Sequence, residues 1–430
     1  MRQELESICS INPENLGGAT PHEYLFKYID ISSVDRGRIH WNQVNRYKFS
    51  DAPSRARRRI RESDIILCTV RPGLQAHARI SREEEIPFVA STGFAVLRPK
   101  TRADSSFIFQ QLFSNDVVAQ LRSKEVGSNY PAVNESDVKQ ISIFMPEPAQ
   151  RQAIGKVLDT IDEVIAKTET VIAKLKYVRT GMLHDLLSYG LDEQGQLRDP
   201  NAHPEQFKDS KLGRIPKEWN VSNLIDSINV IFDYRGRTPL KLNMEWGNGD
   251  IAALSANNVE MGRINFDKET YYGSEKLYQK WMSHGDTHKG DVLITMEAPL
   301  GNITQIPDDK KYILSQRVVL LRANSEFLEN DFLALQMMAV QFQKELIRNS
   351  SGSTAVGIQR AKLEKIDVVV PENINEQIMI AEIIHSIDTE ISSQEIELSK
   401  LRYIRFGLQD DLLTGLVPVP ENIMQGASLA

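Results

Sequence analysis

One long segment of the chain occurs twice, and this duplication restricts the possible folds more than any other feature. Residues 146–191 resemble residues 371–416 along their whole length. At an offset of 226 positions the identical pairs include Ile161/Ile387, Asp162/Asp388, Leu175/Leu401, Tyr177/Tyr403, Arg179/Arg405 and Gly181/Gly407. Such self-similarity is the signature of an architecture built from repeated units. The sequence therefore predicts two copies of one folding unit.

The similarity extends into the segments that precede each of these stretches. Residues 127–147 have the same length as residues 352–372, and residues 29–39 resemble residues 254–264. Each copy is therefore predicted to be a mixed globular module followed by a long helix. The predicted boundaries are 1–145 for the first module, 146–191 for the first helix, 192–216 for a linker, 217–370 for the second module, 371–416 for the second helix and 417–430 for a C-terminal tail.

Apolar side chains of the two predicted helices recur mostly at alternating steps of four and three residues, which is the spacing of a coiled-coil seam. Two polar residues interrupt the stripes at equivalent positions. The predicted seam comprises Ile154, Leu158, Ile161, Ile165, Thr168, Ile172, Leu175, Ile380, Ile384, Ile387, Ile391, Gln394, Leu398 and Leu401. Each helix has one apolar stripe and no core of its own, so the stripes are expected to pack together. Burial in two separate cores is the alternative.

Both modules contain short apolar runs typical of strands and one helix-like segment each. The strand-like runs are 65–70, 94–97, 141–144, 291–295, 318–321 and 368–370, and the helix-like segments are 107–122 and 331–348. At ~1.5 Å per residue, each long helix of about 37 residues is expected to span roughly 55 Å. The sequence thus predicts an α+β fold of two mixed modules joined by two long coiled-coil helices, with an internal pseudo-two-fold repeat.

The formal net charge of −7 hides an uneven distribution of charge. Residues 28–102 hold 15 Lys and Arg against 8 Asp and Glu, whereas residues 371–416 hold 3 against 9. The first module is therefore basic and the second helix is acidic. Because nucleic-acid binding depends on a local basic surface, the acidic total does not exclude a DNA partner.

Arginines dominate the basic part of the first module. A guanidinium group donates two parallel hydrogen bonds, so it suits phosphates and the edge of guanine. The candidate DNA-binding arginines of this module are Arg36, Arg38, Arg55, Arg57, Arg58, Arg59, Arg61 and Arg71. A solvated surface run is the alternative interpretation of such a charge cluster.

Polar and basic turns supply further candidates, because Asn, Ser, Thr, Tyr and Arg side chains bond to phosphates and base edges. The additional candidates are Ser128, Asn129 and Tyr130 in the first module, and Arg235, Arg237, Asn257, Asn258, Arg263, Ser353 and Thr354 in the second. Ordinary turn chemistry is the alternative explanation for these residues.

Signatures of catalysis and of metal binding are missing from the sequence. It contains neither a GxxxxGK[ST] phosphate loop nor the Asn-Pro-Pro-aromatic or Asp-Pro-Pro-aromatic run that an amino-methyltransferase needs. His284 and His288 lie four residues apart in a glycine-flanked loop without a following acid, which does not suit a metal site. We therefore expect no catalytic centre, no metal and no cofactor in this chain.

Several motifs together resemble the conserved regions of type I restriction-modification specificity subunits. Both helices carry Ile-Asp-x-x-Ile, Leu-(Lys/Arg)-Tyr and Asp-Leu-Leu with a following Gly, and Gly213-x-Ile215-Pro216-x-x-Trp219 resembles the entry to the second target recognition domain. The resemblance covers essentially the whole chain. The first module lacks the Gly-x-Ile-Pro-x-x-Trp lead-in, and we expect residues after Leu416 to complete its edge.

This resemblance implies that two target recognition domains each bind one half of a bipartite, asymmetric site on double-stranded DNA. It also implies that the helices pack antiparallel, set the spacer and dock two modification subunits, which bind S-adenosylmethionine and methylate adenine. Restriction subunits join for cleavage, and the chain itself has no catalytic centre. Independently of the resemblance, we expect a cytoplasmic protein, because the first residues lack the apolar region of a signal peptide and no apolar stretch reaches the roughly 18 residues of a membrane span. In an antiparallel pair, Thr168 and Gln394 are expected to meet, because each lies near the middle of its helix.

Two other classes of protein remain open on the residues alone. One is a coiled-coil adaptor whose two modules bind protein, and the other is a fused enzyme with unrecognised chemistry. DNA binding together with a methylase partner distinguishes the specificity subunit from the adaptor. Absence of activity without partner subunits argues against the enzyme.

Overall fold

The computed structural model describes residues 1–352, 355–420 and 424, and the chain divides into two compact units. Unit 1 comprises residues 1–171 with 394–430, and unit 2 comprises residues 172–393. Both boundaries fall inside long helices, so each unit contains one mixed module and a part of each helix. The predicted α+β fold with two modules and two long helices is confirmed.

Unit 1 builds its module from short strands and short helices. The strands are β1 (Arg2–Glu4), β2 (Cys9–Ile11), β3 (Leu25–Ile29), β4 (Val34–Asp35), β5 (Arg38–Ile39), β6 (Asn45–Lys48), β7 (Ala56–Ile60), β8 (Ile65–Cys68), β9 (Ala78–Arg79), β10 (Phe88–Ser91), β11 (Phe94–Pro99) and β12 (Ser142–Phe144). The helices are α1 (Leu5–Ile8), α2 (Ser105–Gln111), α3 (Asn115–Ser123) and α4 (Glu135–Lys139), after which the long helix α5 (Pro148–Tyr189) begins. Two four-stranded sheets, β6-β3-β10-β7 and β2-β11-β8-β9, form the framework of this module.

Unit 2 contains the second module and follows the same plan. The strands are β13 (Phe207–Ser210), β14 (Gly213–Pro216), β15 (Trp219–Asn223), β16 (Ile228–Asp233), β17 (Ile251–Leu254), β18 (Val259–Glu260), β19 (Arg263–Ile264), β20 (Tyr272–Gly273), β21 (Val292–Met296), β22 (Leu300–Gln305), β23 (Ile313–Leu314), β24 (Val318–Ala323) and β25 (Asp367–Pro371). The helices are α6 (Glu275–Trp281), α7 (Asn330–Met338), α8 (Val340–Arg348) and α9 (Arg360–Leu363), and the second long helix is α10 (Ile374–Thr414).

The two modules repeat one sheet topology. The antiparallel order β2-β11-β8-β9 in unit 1 corresponds to β16-β24-β21-β22 in unit 2. Strands β3 and β10 pair in parallel, as do β17 and β23, and the pair β1-β12 corresponds to β15-β25. The duplication in the sequence is therefore also a duplication of structure.

The six strand-like runs of the sequence correspond to β8, β11, β12, β21, β24 and β25, within two residues at each end. All residues of β8 and β21 are buried, which explains their continuous apolar sequence. Each predicted helix-like segment instead forms two helices, α2 with α3 and α7 with α8. The break in unit 1 arises at Ser114, whose backbone is extended and whose hydroxyl accepts the Val117 N–H and so caps α3.

The segment predicted as a linker contains an antiparallel hairpin of β13 and β14 and one buried ionic group. Arg198 donates to the Glu376 carboxylate at 2.6 Å, and the indole N–H of Trp219 donates to the same carboxylate at 3.1 Å. The N–H of Leu191 adds a third bond to it at 2.8 Å. Removing one partner of such a buried pair leaves the other charge uncompensated, so this network anchors the start of α10 to the second module.

In unit 1, the end of α10 completes the core of the first module. Leu412, Leu413 and Val419 are buried in the apolar cluster that also contains residues of α2 and β12. The Gln111 side chain donates to the Leu413 carbonyl at 3.0 Å. Val419, which follows Leu416, thus adds to the core of this module.

Helices α5 and α10 contain 42 and 41 residues, more than the expected 37, and both lie inside the predicted segments 146–191 and 371–416. All predicted seam side chains are buried or half-buried. The alternation of steps of four and three therefore predicted the packed face of each helix.

Ion pairs set the register of the helices in unit 1. Arg405 Nε lies 2.8 Å from Asp162 Oδ1, and Arg402 Nη2 lies 2.8 Å from Glu169 Oε1. The pairing moves forward along α5 while it moves backward along α10, so the helices are antiparallel in this unit.

Unit 2 makes the same contact with the roles exchanged. Arg179 Nη2 lies 2.9 Å from Asp388 Oδ2, and Arg179 Nε donates to the other carboxylate oxygen. Arg179 and Asp388 are the repeat equivalents of Arg405 and Asp162. One kind of ion pair therefore occurs once in each unit.

The unit 1 register does not bring Thr168 and Gln394 together. Counted from the Arg405–Asp162 pair, Thr168 lies level with residue 399, and counted from the Arg402–Glu169 pair it lies level with residue 403. Gln394 is thus about five to nine residues away, which is roughly 7–13 Å along the axis. Thr168 instead donates its hydroxyl to the Val164 carbonyl at 3.0 Å. The two polar positions are therefore staggered rather than paired.

We expect Arg179→Ala and Asp388→Ala each to lower the free energy of unfolding, with a coupling of about 0.5–1 kcal/mol between them, because the pair is only partly exposed and bidentate. Urea unfolding of the two single variants and the double variant measures this coupling. The exposed pair Glu163–Lys167 serves as the control, for which we expect at most about 0.5 kcal/mol. Purely additive effects at Arg179 and Asp388 would show that the pair does not stabilise the helices.

Candidate nucleic-acid interface

The arginine run of the first module forms an edge strand. Strand β7 lies at the edge of the sheet β6-β3-β10-β7 and pairs with β10. Arg58 pairs with Ala90 and Arg59 with Val89, so these two side chains lie on opposite faces, whereas the register shifts at Arg57. The contacts of each arginine therefore decide whether its charge is free.

Arg57 and its neighbour Arg55 hold uncompensated charge. The guanidinium carbon of Arg57 lies 5.0 Å from the centre of the Phe49 ring, and its Nη1 donates to the Ala56 carbonyl at 2.9 Å. Arg55 is exposed. Within the described ranges neither side chain forms an ion pair, so both charges are available to a polyanion.

Arg59 and Arg61 are partly neutralised by one carboxylate. Arg61 Nη2 lies 2.6 Å and Arg59 Nη1 lies 3.7 Å from the Glu14 carboxylate, which also binds Arg98 at 2.5 Å. Burial opposes ionisation of Glu14, but the hydrogen bonds from Arg98 and Arg61 hold its pKa below the usual value. The two arginines thus carry less net charge towards a ligand than Arg57 does.

Arg58 has a structural role. Its Nη1 donates to Asn15 Oδ1 at 2.8 Å, and residues Asn15 and Arg58 form an isolated β-bridge. Burial lowers the pKa of this guanidinium, which is half-buried beneath the edge strand. Arg58 therefore fastens the N-terminal segment to β7 and is a weaker candidate for a DNA contact than Arg55 and Arg57.

Two loops that were singled out separately in the sequence meet in unit 1. The guanidinium of Arg71 stacks over the Tyr130 ring at 4.6 Å and donates to the Asn129 carbonyl at 3.2 Å. The bridge between Val70 and Ala132 holds the two loops side by side. Ser128, Asn129 and Tyr130 are all exposed, so this stacked pair has a free outer surface.

The remaining arginines of the first module differ in their partners. Arg36 is exposed and donates to Gln75 Oε1 at 2.8 Å. Arg38 instead pairs with Glu169 on α5, which is also bound by Arg402. Arg38 therefore connects the module to the helices and is a weaker candidate for DNA than the sequence suggested.

The second module has fewer free charges. Arg235 forms a bidentate pair with Asp233 at 2.6 and 2.8 Å, and Arg263 lies 2.8 Å from Glu260. Arg237 donates to the Trp281 carbonyl and stacks over Tyr234 at 4.7 Å. Of these three, only Arg237 lacks a carboxylate partner within the described chain.

The two candidate asparagines of this module are placed differently. Asn257 is exposed and donates to the Glu269 carbonyl at 3.1 Å. Asn258 is fully buried, accepts the Ser255 N–H at 2.8 Å and donates to the Ala253 carbonyl at 3.1 Å. Its prediction as a DNA contact is wrong, because these bonds commit the amide to folding the turn. Ser353 and Thr354 lie outside the described residues.

Sequence reasoning missed the aromatic support of the arginines. The guanidinium groups of Arg57 and Arg71 stack on the rings of Phe49 and Tyr130, and this stacking restricts the orientation of the guanidinium groups. Aromatic residues interleaved with the basic run, at Tyr47 and Phe49, were the available signal.

The described ranges contain no cluster of three or more His, Cys, Asp or Glu residues that suits a metal ion. The His284 ring stacks on Tyr234 with ring centroids 5.6 Å apart, and the backbone N–H of His284 donates to the Tyr234 hydroxyl. None of the helices in that part of the chain combines the length and apolarity required to cross a bilayer.

Duplicated mixed modules, each followed by a long helix and the first edged with arginine, are the features of a sequence-specific DNA-binding protein. The model of the type I restriction modification DNA specificity domain matches residues 53–177 and 216–400. These regions cover more than half of the 430 residues, and the chain belongs to this family. The resemblance inferred from the helix motifs is confirmed, and with it the family's role in DNA sequence specificity.

Curated relatives agree with this assignment. The MjaVIII specificity subunit of a type I restriction enzyme from Methanocaldococcus jannaschii is 26% identical over 70% of this chain and 67% of its own length. The HindI specificity subunit from Haemophilus influenzae is 20% identical over 90% of this chain and 94% of its own length.

Two solved structures share the fold. The type I restriction-modification S subunit from M. genitalium has a TM-score of 0.61 at 15% identity and covers 96% of both chains. A chain from work on complex assembly and conformational transition of the type I R-M system has a TM-score of 0.52 at 19% identity, and covers 96% of this chain and 97% of its own.

We expect Arg57→Gln to weaken DNA binding equally on all sequences and to reduce the slope of log affinity against log salt by about one, because one phosphate contact is lost. Fluorescence anisotropy over a salt series measures both quantities. Arg61→Gln is the matched control, with a smaller change in slope because Glu14 already balances part of its charge. A changed sequence preference with an unaltered slope would make Arg57 a base-reading residue.

Proposed function

We propose that this chain is the DNA-specificity subunit of a type I restriction-modification complex, in which each module binds one half of a bipartite site. The observation that carries the proposal is the double match of the specificity domain, at residues 53–177 and 216–400. Each match takes in most of one module and part of the helix that follows it. A chain with two such domains offers two DNA-binding surfaces without dimerising.

The two halves of the proposed site differ in sequence because the two modules differ in their polar surfaces. The first module offers Arg55, Arg57 and the Arg71–Tyr130 stack. The second offers Arg237 and Asn257, and pairs its other arginines with carboxylates. An asymmetric site therefore follows from one scaffold with two different sets of loops.

The helices are proposed to set the number of unread base pairs between the half-sites. Their 42 and 41 residues correspond to roughly 60 Å of helix each. Within each unit, buried seam side chains and one Arg–Asp pair hold the two helices against each other. The number of residues in the helices is therefore the proposed determinant of the spacer.

Exposed apolar residues at repeated positions are the proposed docking points for two modification subunits. Tyr177 is 82% exposed and is followed by the exposed Val178, while its repeat equivalent Tyr403 is 80% exposed and is followed by the exposed Ile404. Exposed apolar surface of this kind marks interaction sites. The same pair in each repeat suits a partner that binds twice.

The other proposed partners follow from the family. Double-stranded DNA is the ligand, restriction subunits join the complex for cleavage, and the chain acts in the cytoplasm. S-adenosylmethionine is expected in the modification subunits, where the methyl transfer takes place, and not in this chain.

Methylome sequencing of a strain with and without this chain tests the proposal. We expect a bipartite adenine-methylated motif that depends on the chain, and the purified chain should shift a duplex of that motif when the modification subunits are present. A chain that assembles with protein partners but leaves the methylome unchanged would instead be the coiled-coil adaptor.

Matched insertion of one heptad into each helix, after Thr170 and after Glu397, should lengthen the spacer by about three base pairs. Seven residues add about 10 Å of helix, and each base pair adds about 3.4 Å. The half-site sequences should stay the same, because the modules are untouched. Methylome sequencing measures both, and an unchanged spacer would exclude the helices as its determinant.

The double variant Tyr403→Ser with Ile404→Ser should remove one modification subunit from the complex, and adding Tyr177→Ser with Val178→Ser should remove the second. The reason is that each pair supplies the apolar contact of one docking site. Native mass spectrometry counts the bound subunits. Ile396→Ser is the control, since Ile396 is exposed on the same helix but corresponds to Thr170 in the other repeat. Full occupancy in all variants would place the docking surface elsewhere.

A further inference from the structure

A leucine is presented at the tip of a turn in the second module. Leu240 is 82% exposed, whereas the side chains of Leu242 and Met244 pack against the apolar cluster beneath the turn. Placing a large apolar side chain in water without a partner has a free-energy cost that the next two apolar residues avoid. The exposure of Leu240 is therefore a property of this tip and not of the whole loop.

The turn that carries Leu240 is held from several sides. Leu242 and Met244 N–H groups both donate to the Pro239 carbonyl, at 2.9 and 3.0 Å, and the Asn243 N–H donates to the Leu240 carbonyl at 3.0 Å. The Lys241 ammonium donates to the Gly236 carbonyl at 2.6 Å. A tip ordered in advance loses little conformational freedom when it binds.

The surroundings of the tip are cationic. Arg237 and Lys241 flank it, and within the described residues neither forms an ion pair. Asp233 is occupied by Arg235, and Asp286 accepts the Tyr278 hydroxyl. Glu245 and Asp250 are exposed carboxylates further along the loop. The immediate flanks of Leu240 thus present two cations.

We propose that Leu240 is a wedge that inserts between two base pairs of the second half-site, with Arg237 and Lys241 on the adjacent phosphates. The proposal rests on the function proposed above and names a residue that determines how this module deforms DNA. Apolar wedges with neighbouring cations are how proteins unstack a base step from the minor groove. Deforming a step is easiest at flexible pyrimidine–purine sequences, so the wedge adds specificity without a hydrogen bond to a base.

Charge favours DNA over a protein partner as the occupant of this tip. A protein pocket that accepts a leucine gains little binding free energy from the two flanking cations unless the pocket also carries carboxylates beside them. The phosphates on either side of a base step match an apolar side chain between two cations.

The first module supplies an internal comparison. It has the same Gly-x-Thr-Pro sequence at residues 18–21, and the Tyr24 N–H donates to the Pro21 carbonyl at 3.0 Å as Leu242 does to Pro239. The position of Leu240 is taken there by His22, which is exposed. We therefore expect unstacking in the second half-site only.

The test uses the full chain assembled with its modification subunits and a duplex of the methylated motif. 2-Aminopurine, whose fluorescence rises when it is unstacked, replaces one base at a time along both half-sites. We expect a rise at one step of the second half-site, loss of that rise in Leu240→Ala, and its retention in Leu240→Met. Binding of the motif should weaken about tenfold in Leu240→Ala, because the burial of one leucine is lost. Val340→Ala, which removes another exposed apolar side chain from the same unit, should bind normally.

The other outcomes overturn the wedge in distinguishable ways. A rise that persists in Leu240→Ala, or no rise at all on a duplex that binds, excludes it and leaves the proposed function intact. Loss of a bound subunit in Leu240→Ala identifies the tip as a protein contact. A wild-type complex that binds no DNA overturns both the wedge and the proposed function.

Discussion

The structure depends on two long helices, neither of which can bury its apolar side chains without a partner. Helix α5 and helix α10 each carry an apolar stripe. Within each unit, one Arg–Asp ion pair also connects the two helices. Asp162 and Arg179 of the first repeat correspond to Asp388 and Arg405 of the second. Duplication of one sequence therefore supplied the acidic and the basic partner of both ion pairs. The antiparallel direction follows from this exchange of roles, since each repeat contributes its aspartate to one unit and its arginine to the other.

The modules are attached to these helices by contacts that differ between the units. In unit 2 the buried carboxylate of Glu376 accepts hydrogen bonds from Arg198, Trp219 and the Leu191 N–H. In unit 1, apolar residues at the end of α10 and Val419 pack into the core of the first module. The end of α10 and Val419 thus support the first module, and the start of α10 supports the second, so the two modules obtain support from different parts of the chain. Variation of the loops on such a supported sheet can alter DNA recognition without disturbing the helices.

The sequence predicted most of the framework and only part of the interface. The helices, their packed faces and six strands were predicted because each depends on a local period of apolar residues. The break at Ser114 was missed, since the apolar pattern continues through it and only the cap marks the new helix. Among the arginines, the dense basic run includes the edge strand β7, which the apolar pattern did not predict. It did not show that Arg58 is fastened to Asn15 or that Arg38 binds Glu169.

The sequence by itself determined the duplication, the two long helices, the family and the uneven distribution of charge. These are properties of residue order and spacing, which need no knowledge of distant contacts. Only the tertiary structure decided which charges are free, because this depends on carboxylates brought from remote parts of the chain. Glu14 reaches Arg61 and Arg98, and Asp233 takes Arg235, whereas Arg57 has Phe49 beneath it and no acid among the described residues. Burial is likewise decided only by the tertiary structure. Asn258, a candidate DNA contact in the sequence, is fully buried and stabilises a turn.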